Sequence, residues 1–382
     1  ATPTVTVTAT PVPTGPLDFH VVLSLRDAPD ALPGDGDCAD ADGVCTVRAA
    51  VDEANAHPGH DRIFVGTGGR PTARGRVWTE LVISDAVDLI GEGMNVTEIT
   101  GVRLERILTI LPGIEVNVED VHLTKGYATR GGIVLNEGTL NLRRAKLSRG
   151  LSERGAGVFN LGTFTAEDSV LERHTDQLPE GLGGCIHNDG GTVTLNRVTL
   201  YKGQARLGCG GGIYNTGGGV VNATNVSIIA NRARKAKAGG ICNDGGEVTC
   251  INCTIARNQA NNTAGGIINL AGTITLGNTL VSDNFHAGGG RGANCSGAII
   301  SLGGNLENSD TCGFSEPSDQ INTDPALRGP LAEEGNALVA SFRRDDSAAI
   351  DRALEAICPA IDQRSLPRPA RVACDIGAYE LQ

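Results

Sequence analysis

One phrase returns six times along this chain, and it restricts the fold more than any other feature. It reads GGIVLN, GAGVFN, GGCIHN, GGGIYN, AGGICN and AGGIIN, ending at Asn136, Asn160, Asn188, Asn215, Asn243 and Asn269. Successive asparagines lie 24, 28, 27, 28 and 26 residues apart. A second phrase keeps the same beat, from EDVHL at Glu119 through RAKL, DSVL, RVTL, NVSI and NCTI to NTLV at Asn278. A period in the range of about 20–50 residues marks a repeat architecture, in which each unit buries its apolar face only against its neighbours.

The unit holds β-branched pairs and turn residues and no run of helical period. Within the phrase one aliphatic row recurs: Val134, Val158, Ile186, Ile213, Ile241 and Ile267. The row beside it varies: Leu135, Phe159, His187, Tyr214, Cys242 and Ile268. A constant row next to a variable one is the pattern of inward and outward strand faces. Asn and Gly close each rung because they tolerate left-handed backbone, and stacked Asn amides can bond to the rungs on either side. The reading is an all-β, right-handed, single-stranded parallel β-helix of about nine coils over residues 61–313. At about 4.8 Å per coil the rod is roughly 45 Å long.

Both ends of such a solenoid need covers. In CTVRAAVDEANAHPG, Val47, Ala50, Val51 and Ala54 fall on one helical face, Thr46 suits the N-cap, and Pro58-Gly59 stops the helix. This gives a cap over 17–60 with a helix at 46–56, and an irregular C-terminal cap over 314–382. CTVRAAVDEAN resembles the Cys-Ser-Leu-Arg-Glu-Ala signature of the CSLREA-motif family of large secreted bacterial β-helix proteins, which share the pectin-lyase-like solenoid. LIGEGMNVTEITG and the GGGIYN rungs are similar to that family's coils. TDPALRGPLAEEGN and CPAIDQRSLPRPARVACDIGAYE resemble its closing segment. The match spans about residues 19–382, with Thr46, Val47 and Ala49 as departures in the opening signature. The resemblance implies a secreted or cell-surface bacterial protein and does not imply catalysis.

Residues 1–16 form a Thr/Pro-rich extension. Thr4, Val5, Thr6, Val7, Thr8, Ala9 and Thr10 alternate as a strand does, and PVPTGP follows as a tether. A strand this short needs another edge to pair with. Supplied by the neighbouring copy, it makes a head-to-tail filament by strand addition.

Composition narrows the partners. A net charge of −12 argues against nucleic acid. No apolar run approaches the roughly 20 residues of a membrane span. The chain starts at Ala1 instead of Met, as expected once a signal peptide is removed. Eleven cysteines fit an oxidising compartment. The pairs expected from proximity are Cys38 with Cys45, Cys185 with Cys209, Cys295 with Cys312, and Cys358 with Cys374. Cys250 and Cys253 read as small buried hydrophobes.

Sites of chemistry are sparse. Asp120 and Asp168 align two coils apart with Arg144 between; Asp189 and Asp244 align with Thr216 between. Neither row stacks carboxylates as glycoside hydrolysis requires. Asp35, Asp37, Asp40 and Asp42 form a candidate Ca²⁺ loop, although they lack the EF-hand spacing. No other cofactor is expected. Phe159, His187 and Tyr214 on successive coils are the candidate glycan platform. The leading expectation is an extracellular, non-catalytic structural solenoid that self-associates and serves adhesion or a surface matrix. The alternatives are a glycan-binding surface protein and a polysaccharide lyase or hydrolase.

Overall fold

The computed structural model describes residues 15–382 apart from 177–180, 236, 288–289, 292, 329–331, 335–336 and 344. The proposed strand Thr4–Thr10 therefore lies outside the described residues. The chain winds as an all-β parallel solenoid of about nine coils. Its described walls are sheets of 18, 10 and 7 strands. Every pairing in the two larger sheets is parallel and joins one coil to the next.

The interior follows from the aliphatic row. Leu108, Val134, Val158, Ile186, Ile213, Ile241 and Ile267 stand in register on successive coils, and all are buried. Beside them runs the asparagine ladder. Each Nδ2 donates to the next Oδ1 from Asn136 to Asn160 (2.7 Å), Asn188 (2.8 Å), Asn215 (2.8 Å), Asn243 (2.9 Å) and Asn269 (3.1 Å). Glycine precedes the rung for steric reasons: a Cβ on Gly184 would collide with the carbonyl of Gly211 one coil on.

The solenoid begins before the helix. Strand β1 (Asp18–Val22) pairs in parallel with strand β2 (Asp61–Gly66), Asp18 opposite Arg62 and Val22 opposite Gly66. The sequence reading starts the coils at residue 61 because five residues, DFHVV, give too short an alternation to stand out. Helix α1 (Val47–Ala56) lies between these strands in the chain. The Thr46 side chain accepts from the Ala49 amide at 3.0 Å. Val47, Ala50, Val51 and Ala54 join the same core cluster as Ile63. At the far end Cys295, Cys312 and Phe314 are part of that cluster, so apolar side chains cover the interior at both ends.

The C-terminal segment does more than close an end. It doubles back along the outer face of the ten-strand sheet, and Leu327, Val339, Phe342, Ile350, Ile376 and Tyr379 pack on Ile229, Ala256, Leu280 and Leu306. Asn225, Asn252 and Asn278 each donate to its carbonyls, at Ile361 (2.8 Å), Asp375 (3.1 Å) and Leu354 (2.9 Å). Gln363 reaches furthest back, donating to the Val198 carbonyl (3.1 Å) and Thr199 Oγ1 (2.8 Å). The segment is a strap along several coils.

Candidate functional site

The aspartate loop does not converge on a point. Asp40 and Asp42 both bind Arg26, and Asp40 Oδ1 also accepts from the amides of Asp42 (2.9 Å) and Val44 (3.1 Å). Asp35 accepts from the Asp37 amide at 2.9 Å. These are Asx turns and ion pairs of a loop closed by Cys38–Cys45. Among the described residues no three His, Cys, Asp or Glu side chains are placed to hold a metal ion.

Three of the four aligned carboxylates, Asp120, Asp168 and Asp244, are held by neighbouring side chains. Arg144 grips Asp120 through Nε (3.0 Å) and Nη2 (2.7 Å) and also contacts Glu119. Arg197 does the same to Asp168, at 2.7 and 3.0 Å, and contacts Glu167. Asp244 accepts a hydrogen bond from Tyr214 at 2.9 Å.

The aromatic row stacks as its register predicts. Ring centroids are 4.6 Å apart for Phe159–His187 and 4.9 Å for His187–Tyr214. It is not the open platform expected from the sequence: Phe159, His187 and Tyr214 are 0 %, 2 % and 8 % exposed. Arg130 lies over the Phe159 ring at 5.3 Å. Tyr214 packs with Cys209, Ala238, Cys242 and Ile268 in a small apolar cluster outside the coil. Burial, followed by the Arg154 charge, pushes the His187 pKa down to about 3, and Nδ1 is buried without a hydrogen-bond partner. The row faces outward from the coil, but loops cover it.

A disulfide holds that cover, and here the sequence pairing is wrong. Cys209 bonds to Cys242, and Cys185 is a free, buried thiol, as are Cys250 and Cys253. The reason is sidedness. Cys185 belongs to the interior cluster, whereas Cys209 and Cys242 belong to the cluster outside the wall. Burial raises the Cys185 pKa well above the ordinary thiol range. The expected pairs Cys38–Cys45, Cys295–Cys312 and Cys358–Cys374 are present. Cys242→Ala opens a loop with a sequence separation of 33 and should cost about 3 kcal/mol. Denaturant titration checks this cost. Alkylation of unfolded wild type without reductant should label Cys185, Cys250 and Cys253; label on Cys209 or Cys242 would refute the assignment.

Sequence reasoning missed the outer face of the ten-strand sheet. Glu98, His122 and Lys146 stand in register on consecutive coils. Arg74 pairs with Glu98, His122 Nδ1 lies 3.7 Å from Glu98, and His122 Nε2 lies 2.7 Å from Ser148 Oγ. A cavity of about 490 Å³ beside them is lined by Arg70, Arg74, Met94, Asn95, Glu98 and His122. Carboxylate, imidazole and hydroxyl in that order resemble a proton relay. Ser148 is 2 % exposed, however, and shares its hydroxyl with Thr124 at 2.8 Å, which leaves no reacting atom a path to it. Burial first, then Lys146, Arg149, Lys125 and Arg74, bring the His122 pKa to about 3. The network stitches coils together within a positive field. The signal available in the sequence was the repeat of polar residues at the coil period, but their chemical identities vary from coil to coil.

Fold and crosslinks together define a disulfide-bonded parallel β-solenoid. No helix among the described residues is long and apolar enough to cross a membrane. No family model matches the chain, and no curated protein matches it. Among solved structures it is similar to Geobacillus virus E2 ORF18, at 12 % identity and a TM-score of 0.34. The alignment covers 64 % of this chain and 54 % of the viral protein, so the chain spans about half that protein's length.

Proposed function

We propose that this protein is an extracellular, non-catalytic structural solenoid that associates head to tail through its N-terminal segment, in an adhesive or surface-matrix role. The observation that carries the reading is the edge at the far end of the solenoid, opposite the donor strand. Among the described residues Ile300–Ser301 of the last coil pairs with Thr275–Leu276 alone, and its other edge is free. The apolar interior is covered at both ends, so end-to-end contact through the core is disfavoured and the backbone edge is what remains available. Thr4–Thr10 has the strand period to pair with such an edge on a neighbouring copy, and the proline-rich 11–16 gives it reach. The four disulfides and the resemblance to the CSLREA-motif family support a location outside the cytoplasm.

Electron microscopy and sedimentation of the full chain and of a chain lacking residues 1–14 test this reading. Filaments from the first and monomers from the second are expected. Filaments from both, or from neither, would overturn it. Turnover of an acidic polysaccharide by the intact protein would favour the lyase or hydrolase reading instead.

A further inference from the structure

Two rows of non-glycine residues run up the solenoid in left-handed backbone, and they handle charge in opposite ways. In the first, Asp120, Arg144, Asp168 and Arg197 have φ values of 56°, 45°, 48° and 55° and pair off acid with base. In the second, Lys125, Arg149, Arg173 and Lys202 have φ values of 66°, 56°, 58° and 54°. Each of these four closes a strand of the ten-strand sheet. Their amides donate to the next coil at Ser148 (3.1 Å), Glu172 (3.1 Å), Tyr201 (2.8 Å) and Ile229 (3.3 Å). The four cations therefore occupy equivalent positions on consecutive coils, about 4.8 Å apart.

The second row has almost no counter-charge. Among the described residues Lys125, Arg149 and Lys202 are in no ion pair. Arg173 has only a 3.6 Å contact to Glu172, which Lys146 already holds at 2.9 Å. Arg149, Arg173 and Lys202 are exposed, and Lys125 is half-buried. Like charges in line repel, and left-handed backbone favours Asn, Asp or Gly over Lys or Arg. A chain of net charge −12 has thus collected positive charge along one line where neither the backbone nor the neighbours favour it. The row also stops where the C-terminal strap begins. The next position is Ala230, which packs against the strap cluster, and after it Arg257 donates to the strap carbonyls of Leu327 and Arg328.

We propose that Lys125, Arg149, Arg173 and Lys202 form a docking track for an extended acidic polysaccharide lying parallel to the solenoid axis. A pyranose in an extended chain advances by about the length of one coil, so a sugar bearing a carboxylate or sulfate can present one charge to each cation. Phosphates along an extended nucleic-acid strand stand further apart than one coil and fall out of step with the cations. The track lies on the side wall and is independent of association at the ends of the solenoid.

The test measures retention of the full chain on polygalacturonate, on dextran sulfate and on neutral dextran, with single-stranded DNA as competitor. Substitution to asparagine at all four positions (K125N, R149N, R173N, K202N) suits the left-handed backbone and should leave the circular dichroism and melting temperature intact. Wild type should bind at least one acidic polymer and not the neutral one. The preferred acidic polymer distinguishes carboxylate from sulfate as the source of charge. The variant should bind at least tenfold more weakly, with a shallower salt dependence. A two-site variant, R149N with R173N, should fall between them if the fourfold change perturbs folding. Equal binding by wild type and variants, no binding to either acidic polymer, or tighter binding to single-stranded DNA would each overturn the proposal.

Discussion

Replacing His174 by asparagine is expected to make the solenoid more resistant to acid at little cost near neutral pH. His174 fills a place in the wall that asparagine takes on later coils. The Gly150 amide donates to His174 Nδ1 at 3.1 Å, and His174 Nε2 lies 3.1 Å from the Leu147 carbonyl. Asn258 makes the same pair of contacts, accepting from the Asn231 amide (2.9 Å) and donating to the Ile228 carbonyl (2.8 Å). In both side chains an acceptor and a donor flank a single carbon. The imidazole must carry its proton on Nε2, and a second proton on Nδ1 would face an N–H group. Burial accordingly pushes the His174 pKa down to about 3.

His122 and His187 are lowered to the same level by burial. The unfolded chain takes up these protons near pH 6.5, well before the folded one does. Their stabilisation is complete above about pH 6.5 and is lost as pH falls toward 3, at about 1.4 kcal/mol per pH unit for each imidazole. Two buried acids oppose the trend. Burial raises the pKa of Asp375 to about 6 and that of Asp176 well above its usual range. Their contribution is present at low pH and is lost as pH rises. Urea titrations at pH 7 and 4.5 should show H174N losing about 2–3 kcal/mol less than wild type across that interval. An unchanged pH slope would show that this imidazole is not among the groups that titrate.

His174 also shows why part of the wall was illegible in the sequence. The Asn136–Asn269 ladder could be read because one residue type recurs at the coil period. The second ladder, Asn231–Asn258–Asn284–Asn294, makes equivalent bonds of 3.0, 2.9 and 3.0 Å. Its row passes through His174 and Gly203 on earlier coils, so the chemical signal breaks although the geometry does not. The strap was hidden for another reason: its hydrogen bonds to the coils join residues 70 to 165 positions apart, from Arg257 with Leu327 to Gln363 with Val198. In hindsight the left-handed row marks the place. It carries paired charges through Arg197 and then turns to Asn225, Asn252 and Asn278, where the side chains bond strap backbone and Asn278 also donates to Asn252 Oδ1 at 3.2 Å. Register likewise identified Phe159, His187 and Tyr214 as neighbours. Their exposure depended on loops whose course no local period encodes.

The first ladder supports a second large effect, one that distinguishes a ladder from a set of separate bonds. Asn188 lies mid-ladder and is fully buried. Its Oδ1 accepts from Asn160 at 2.8 Å, and its Nδ2 donates to Asn215 and to the Gly191 carbonyl, both at 2.8 Å. Asn188→Ala removes these bonds and a longer one to the Val220 carbonyl (3.4 Å), and leaves Asn215 Oδ1 without its donor in a dry wall; the Gly191 carbonyl keeps the Val220 amide at 2.9 Å. At about 1–3 kcal/mol for the unsatisfied oxygen and about 1 kcal/mol for the other lost bonds, the expected loss is about 3 kcal/mol. Asn269 ends the ladder half-exposed. Water can replace what Asn269→Ala removes, so that variant should lose about 1 kcal/mol or less. A solenoid is held together by contacts between adjacent coils, so a break in the middle should also weaken the coupling between the two halves. Denaturant unfolding of Asn188→Ala should then broaden or split, while Asn269→Ala keeps a single transition. Equal losses at the two sites would mean that each amide acts alone and that the period of asparagines reflects turn preference only.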